Sequence, residues 1–285
     1  MRLLTRRLTG GVSFFALACR SALPAAALML AASAALLVAG PAAAAGLQVT
    51  PISLDIPAAQ QSQAMFLSNS GKTPLRAQVR VQQWTQEGGS EKLEATRDVV
   101  ASPPIVEIAP GARQMVRIVR LQPAPAAREK TYRLIIDELP GADGAQQPAA
   151  AGLQFLLRYS VPVFVLPSSA AGSAALPPAS AANGTVPLTD VKPLSASIRA
   201  NGPDASMLVV VNTGVRRAKI SQLAWVDARG QRSMQFPGLM GYVLAGQTMQ
   251  WPLALPLPTL RSGGAFKAKF NDDQEEQTLP LTDRP

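Results

Sequence analysis

Asn69-Ser70-Gly71-Lys72-Thr73-Pro74 runs directly into Leu75-Arg76-Ala77-Gln78-Val79-Arg80-Val81-Gln82, a turn followed by strict alternation. Leu75, Ala77, Val79 and Val81 take one phase while Arg76, Gln78, Arg80 and Gln82 take the other, so the pattern predicts a strand with one buried and one wet face. Asn, Ser and Gly before it are residues that close turns on themselves or tolerate left-handed backbone. Outward from this strand the chain keeps the same style. Gln114 to Arg120, Thr131 to Leu139 and Leu153 to Val165 read as further strands, joined by Ala109-Pro110-Gly111 and by the stretch from Gly141 to Gly152. Leu47 and Val49 lie in one phase and Ile52, Leu54 and Ile56 in the other, with Pro51 between; a period that slips at a proline predicts a bend or bulge. No convincing amphipathic helix interrupts the series. Roughly seven strands in about 120 residues is the size of one immunoglobulin-like sandwich.

From Pro167 to Asn183 the chain turns to Ser, Ala, Gly and Pro without a charge, which predicts a linker or surface loop. A second domain follows and echoes the first weakly. Ser206 to Asn212 leads into Asn212-Thr213-Gly214 as Ala64 to Asn69 leads into Asn69-Ser70-Gly71, and Ala245-Gly246 precedes Met249 and Trp251 as Pro110-Gly111 precedes Met115 and Arg117. The expected fold class is therefore all-β, two immunoglobulin-like β-sandwich domains, over residues 46–167 and 186–285, with 168–185 between them.

Residues 1–45 read as a signal peptide: Arg2, Arg6 and Arg7, an apolar run through Leu23 to Ala39, then Pro41-Ala42-Ala43-Ala44-Ala45. The run is nearly long enough to span a bilayer, so an uncleaved anchor is the rival reading. Ala16-Leu17-Ala18-Cys19 faintly resembles a lipoprotein box, but Arg20 and a fresh apolar run follow it. Losing the four arginines of this segment takes the net charge from +9 to +5, a mild and scattered excess without the basic stripe that nucleic acid requires. Cys19 is the single cysteine and lies in the same segment, so an exported product has no disulfide.

The chain has no histidine, which removes imidazole metal ligands, the Ser-His-Asp arrangement and the Cys-His pair together. Gly71-Lys72-Thr73 looks like the tail of a phosphate-binding loop, but Phe66 stands where that motif needs its first glycine, and a hairpin turn explains the triplet better. Asp137-Glu138, Asp272-Asp273 and Glu275-Glu276 are adjacent pairs. Neighbours on a strand point to opposite faces and cannot work as a facing acid and base. The last two pairs read as solvated charge. Leu153, Phe155, Leu157 and Tyr159 fall on one face of their strand, and composition alone leaves a core strand of its own sandwich as the plain reading.

Five stretches carry a resemblance: Asn69 to Thr73, Ser102-Pro103-Pro104, Tyr132-Arg133-Leu134-Ile135-Ile136-Asp137-Glu138-Leu139-Pro140, Leu157-Arg158-Tyr159-Ser160-Val161-Pro162-Val163-Phe164 and Gly241-Tyr242-Val243-Leu244. In this order residues 46–285 resemble the PapD-like periplasmic pilus chaperones, especially the archaic branch serving spore-coat-like and biofilm pili. The resemblance implies a non-enzymatic chaperone, without nucleotide or metal cofactor, that caps pilus subunits and delivers them to an outer-membrane usher. It implies an exposed edge strand that completes the subunit's missing strand, with Leu153, Phe155, Leu157 and Tyr159 as the donated side chains. An edge of this kind also permits self-association. The arginine and lysine that grip the subunit's C-terminal carboxylate in better-known members fall here near Pro51 and at Pro162. The archaic branch resembles this chain in lacking that pair, which makes Arg133 the first candidate anchor, with Arg158 and Arg117 after it; an arginine merely solvating a strand face is the alternative. The family's interdomain ionic contact, centred on an arginine before the closing proline, is expected to be lost because Leu166 stands there. A secreted two-domain adhesin acting through its loops, and a hydrolase built on two convergent carboxylates, are the competing functions.

The exported product is expected to begin at Gly46, and intact-mass analysis of the periplasmic fraction checks this. A membrane-bound product that keeps residues 22–40 contradicts it.

Overall fold

The computed structural model describes residues 46–140, 155–168 and 193–283. The signal-peptide reading of 1–45, the connection from Gly141 to Gly152, Leu153 and most of the proposed linker lie outside the described residues.

In the first sandwich the strands are β1 (Leu47–Thr50), β2 (Leu54–Ile56), β3 (Ser62–Asn69), β4 (Leu75–Glu87), β5 (Ser90–Ala95), β6 (Val99–Ser102), β7 (Ile105–Ile108), β8 (Arg113–Arg120), β9 (Lys130–Leu139) and β10 (Arg158–Val165). One sheet runs β1-β3-β8-β6; the other runs β2-β10-β9-β4-β5, with β7 also on β4. The phase slip at Pro51 is where the chain changes sheets: β1 pairs with β3, and β2 pairs with β10 on the opposite sheet. Each strand then buries the residues of its own phase, Leu47 and Val49 before the proline and Leu54 and Ile56 after it. Between the sheets Met65, Leu67, Val79, Ile118, Leu134, Ile136, Val161 and Val163 form the core.

The second sandwich holds β11 (Leu194–Ala200), β12 (Ser206–Asn212), β13 (Ala218–Asp227), β14 (Arg232–Met234), β15 (Leu239–Val243), β16 (Thr248–Leu253), β17 (Gly264–Phe270), β18 (Gln277–Leu279) and β19 (Leu281–Asp283). Its sheets run β16-β12-β11-β19 and β14-β13-β17-β18, with β15 on β13. A single helical turn, α1 (Leu257–Arg261), starts at a proline-rich step and buries Leu260. Trp225 and Phe266, in edge-to-face contact at 4.8 Å, anchor its core. Two immunoglobulin-like sandwiches are thus what the alternation foretold.

The sequence echo between the domains is realised as two equivalent hydrogen-bond knots. Asn69, buried, donates its amide to the carbonyls of Thr73 (2.8 Å) and Ile108 (2.9 Å), and its side-chain oxygen accepts the Gly71 N–H at 2.8 Å. Asn212 donates to Arg216 (2.8 Å) and Val243 (2.9 Å) and accepts from Gly214 at 2.8 Å. The backbone matches as well: Asn69 N–H donates to Ala112 and Asn212 N–H to Gln247, each carbonyl following a left-handed glycine, Gly111 or Gly246. Each asparagine ties the turn before one strand to the strand end across the sandwich, using its amide group to satisfy backbone that cannot reach water. The Asn69-Ser70-Gly71-Lys72-Thr73 stretch is therefore a turn, as its failed phosphate-loop match suggested.

Asn69→Ala and Asn212→Ala are each expected to cost about 1–3 kcal/mol, because each strands a buried carbonyl. Thermal denaturation checks this, and a substitution that leaves Tm unmoved at either site contradicts the equivalence of the knots.

Candidate functional site

Strand β10 carries the site. It runs antiparallel to β9 along its whole length, while β2 covers its other edge only from Val163 to Val165. Leu166 N–H reaches Ile56 on the β2 side, and the Leu157 carbonyl accepts from Glu138 on the β9 side. Backbone groups alternate sides along a strand. Arg158 and Ser160 therefore turn their main-chain groups to the open edge, with no strand partner there among the described residues, while the Pro162 carbonyl meets β2 where Val163 pairs with Leu54. Pro162 owes β9 no N–H, since its cross-strand neighbour Arg133 forms a non-hydrogen-bonded pair with it. A proline inside an otherwise regular strand is tolerated for this reason.

The side chains of the predicted stripe behave differently from one another. Phe155 is 74% exposed, whereas Leu157 and Tyr159 pack against the core of their own sandwich. The Tyr159 hydroxyl donates to the Leu47 carbonyl at 2.5 Å, closing the seam between the two sheets. Residues 155–157 are not strand; the regular strand begins at Arg158 rather than at Leu153. Leu156, on the opposite phase with Arg158 and Ser160, is exposed as well. Two adjacent apolar side chains, Phe155 and Leu156, thus face solvent just before the open edge.

The three candidate anchors are not brought together. Arg117 lies exposed on β8, in the other sheet, opposite Ala64 and Ser102. Arg158 is exposed and shares Asp137 with Arg80, whose contact to that carboxylate is 2.5 Å. Burial pushes the Asp137 carboxyl up, but the hydrogen bonds from both arginines outweigh it and hold it below its usual range. Arg133 is different: its side chain is only 14% exposed, and its guanidinium lies over the Trp84 ring at 3.7 Å. Burial lowers its pKa from the ordinary arginine value, with Glu91 at 3.3 Å offsetting part of the effect. The remaining acid pairs are surface charge, Asp272 bound by Lys219 and Glu276 by Arg232.

Trp84 belongs to an aromatic cluster between the sandwiches. It meets Tyr242 edge-on at 5.6 Å and Phe164 at 6.2 Å, with Leu166 and Leu244 filling the space around them. Gln86 adds a polar tie, donating to the Tyr242 carbonyl (2.7 Å) and accepting from Leu244 N–H (2.9 Å). At the centre Arg217 donates to Glu129 (2.7 Å) and to both oxygens of Asp55 (2.7 and 3.0 Å), and stacks on Phe164 at 3.5 Å. Burial works against the Arg217 charge, yet Glu129 and Asp55 outweigh it and raise its pKa. The expected loss of the interdomain ionic contact is therefore corrected. Leu166 joins the apolar cluster, and an arginine from the second sandwich supplies the lock instead. Sequence reasoning missed Asp55, Glu129, Arg217 and Gln86. Their one signal was an acid inside the apolar alternation of Leu54-Asp55-Ile56.

Residues 46–171 match the family model described as the pili and flagellar-assembly chaperone, PapD N-terminal domain. That match spans the first sandwich, which is similar to the PapD N-terminal domain. Among solved structures, the chaperone–tip adhesion subunit pre-assembly complex CsuC–CsuE of archaic Csu pili from Acinetobacter baumannii contains a chain 24% identical to this one, with a TM-score of 0.62 over 84% of this chain and all of that one. The chaperone YadV is 16% identical with a TM-score of 0.51, covering 81% of this chain and 96% of its own. The E. coli chaperone DraB is 16% identical with a TM-score of 0.50, over 84% and 97%. At such identities the likeness is one of fold. Comparison with curated proteins gives no match. Among the described residues no cluster of acidic or sulfur ligands could hold a metal, and no helix is long and apolar enough to cross a membrane.

Arg217→Ala leaves Glu129 and Asp55 without their cation, which costs about 3–5 kcal/mol for a buried pair. In a chain of this size that is roughly 6–20 °C in Tm. A loss of under about 1 kcal/mol, the worth of a surface pair, contradicts the lock.

Proposed function

We propose that this chain caps pilus subunits in the periplasm by strand addition and hands them to an outer-membrane usher. The observation that carries the reading is the half-covered β10, whose free main-chain groups at Arg158 and Ser160 continue into the exposed apolar pair Phe155 and Leu156. A subunit lacking one strand has the complementary defects, unpaired backbone and an open apolar groove. Pairing with β10 satisfies the first, and the alternate residues Leu153 and Phe155 enter the second, with Leu157 at the rim of the chaperone's own core. Tyr159, already bonded to Leu47, sets the inner limit of that stripe. Exposed apolar surface next to a free edge is an aggregation hazard on an isolated domain and is useful only where a partner covers it.

Arg133 is the proposed anchor for the subunit's terminal carboxylate, because it is a half-buried guanidinium one strand in from the open edge, opposite Pro162. Its planar fork offers two parallel donors to such a group. The CsuC–CsuE complex, a chaperone seen with a tip adhesion subunit, lends support by analogy of fold. No catalytic step, nucleotide or metal enters this scheme. Release is driven by the subunit completing its fold with a better-fitting strand. Residues 1–45 provide the route of export.

Phe155→Asp is expected to leave Tm within about 2 °C of the parent, as an exposed substitution does. It should cut subunit capture by a hundredfold or more, about 3 kcal/mol for an unpaired charge in an apolar groove. Co-purification of subunits from the periplasm is the readout. Val161→Asp, in the core of the first sandwich, is the control that destabilises the chaperone itself. Full capture by Phe155→Asp, with loss only on altering loops, favours an adhesin-like binding module instead.

A further inference from the structure

Resting on Arg133 as the anchor, we propose that Glu91 is a built-in occupant of the carboxylate site: it holds the Arg133 guanidinium in the free protein and gives way to the subunit's C-terminal carboxylate. The two partners are held very differently. Arg133 is clamped between the Trp84 ring beneath it and the surrounding sheet face, with a side chain 14% exposed. Glu91 is 41% exposed and sits on β5, an edge strand whose six residues are all exposed. The cation is fixed and its counter-ion is loose.

The bond between them is also far from what a guanidinium can make. A single nitrogen, Nη2, serves both carboxylate oxygens, at 3.3 and 3.5 Å. Among the described residues Nε and Nη1 donate to no protein acceptor. A carboxylate arriving in the plane of the fork takes two parallel bonds at about 2.7–2.9 Å and displaces the weaker contact. The exchange is one carboxylate for another, so a largely desolvated cation is never left bare. Glu91 thereby keeps the empty chaperone stable, and its competition lowers the affinity for the guest enough to permit its release.

The test uses the full exported chain and two synthetic hexapeptides of alternating Val and Thr, identical except that one ends in a free carboxylate and the other in an amide. Binding is followed by calorimetry and by tryptophan fluorescence, to which the buried Trp84 beneath Arg133 contributes. The parent should prefer the free acid. Glu91→Gln should raise that preference by about fivefold, the scale of a half-exposed ion pair, without changing amide binding. Arg133→Met, which keeps an apolar cover on Trp84, should abolish the preference. If Arg133→Met abolishes it while Glu91→Gln leaves it at the parental value, the anchor stands and the displacement falls. If Glu91→Gln weakens both peptides alike, Glu91 only positions Arg133 and the proposal is overturned. A parent indifferent to acid or amide removes the anchor reading and this inference together.

Discussion

A cation almost wholly withdrawn from water holds this molecule together. Arg217 leaves the second sandwich and ends among Glu129, Asp55 and the face of Phe164, all contributed by the first. Each of these groups would be costly to bury alone, and each is satisfied only when both sandwiches are present. Asp55 sits on β2, the short strand that covers the end of β10, while Phe164 is part of β10 itself. The lock thus fixes the strand that carries the candidate site as well as the joint between domains. Docking of the sandwiches and definition of the open edge are one event, even though their sequences are separated by a charge-free linker.

Around the same aromatic cluster two arginines play contrasting parts. Arg217 stacks on Phe164 and bonds two carboxylates through both terminal nitrogens; Arg133 stacks on Trp84, and Tyr242 touches both rings. Stacking supplies each guanidinium with dispersion and cation–π attraction while leaving its edge free for hydrogen bonds. In Arg217 both terminal nitrogens are taken up by structure. In Arg133 most of it is spare. The difference between a structural and a binding arginine here lies in how many donors remain, a property of geometry that residue type does not reveal.

The fold was legible because its code is local. Alternation from Leu75 to Gln82, the phase slip at Pro51 and the paired Asn-x-Gly turns each report on neighbours within a few residues, and each matches the structure. The site was legible only in part. Leu153 to Tyr159 reads as one uninterrupted face, but the alternation cannot tell where a strand stops, and among the described residues the regular strand begins at Arg158. Leu156 shares its phase with Arg158 and Ser160, the face turned away from the sandwich core, and lies exposed with them. The interdomain lock was invisible for another reason. Asp55, Glu129 and Arg217 are far apart in the chain and ordinary in composition, and a buried ionic cluster declares itself only when three distant segments converge.

Pro162 has a consequence for whatever strand lies beside β10. Between β2 and Arg158 the open edge offers the N–H groups of Arg158 and Ser160, while Pro162 brings no N–H and its carbonyl falls to β2, where Val163 pairs with Leu54. A guest strand sliding toward β2 therefore finds a gap in its ladder before it finds a wall. Register is set by an absence, because any slip forfeits a bond worth about 0.5–1.5 kcal/mol and gains none. The same gap caps how much backbone pairing this stretch can supply. A slot with two donors can align a visitor without being able to keep it.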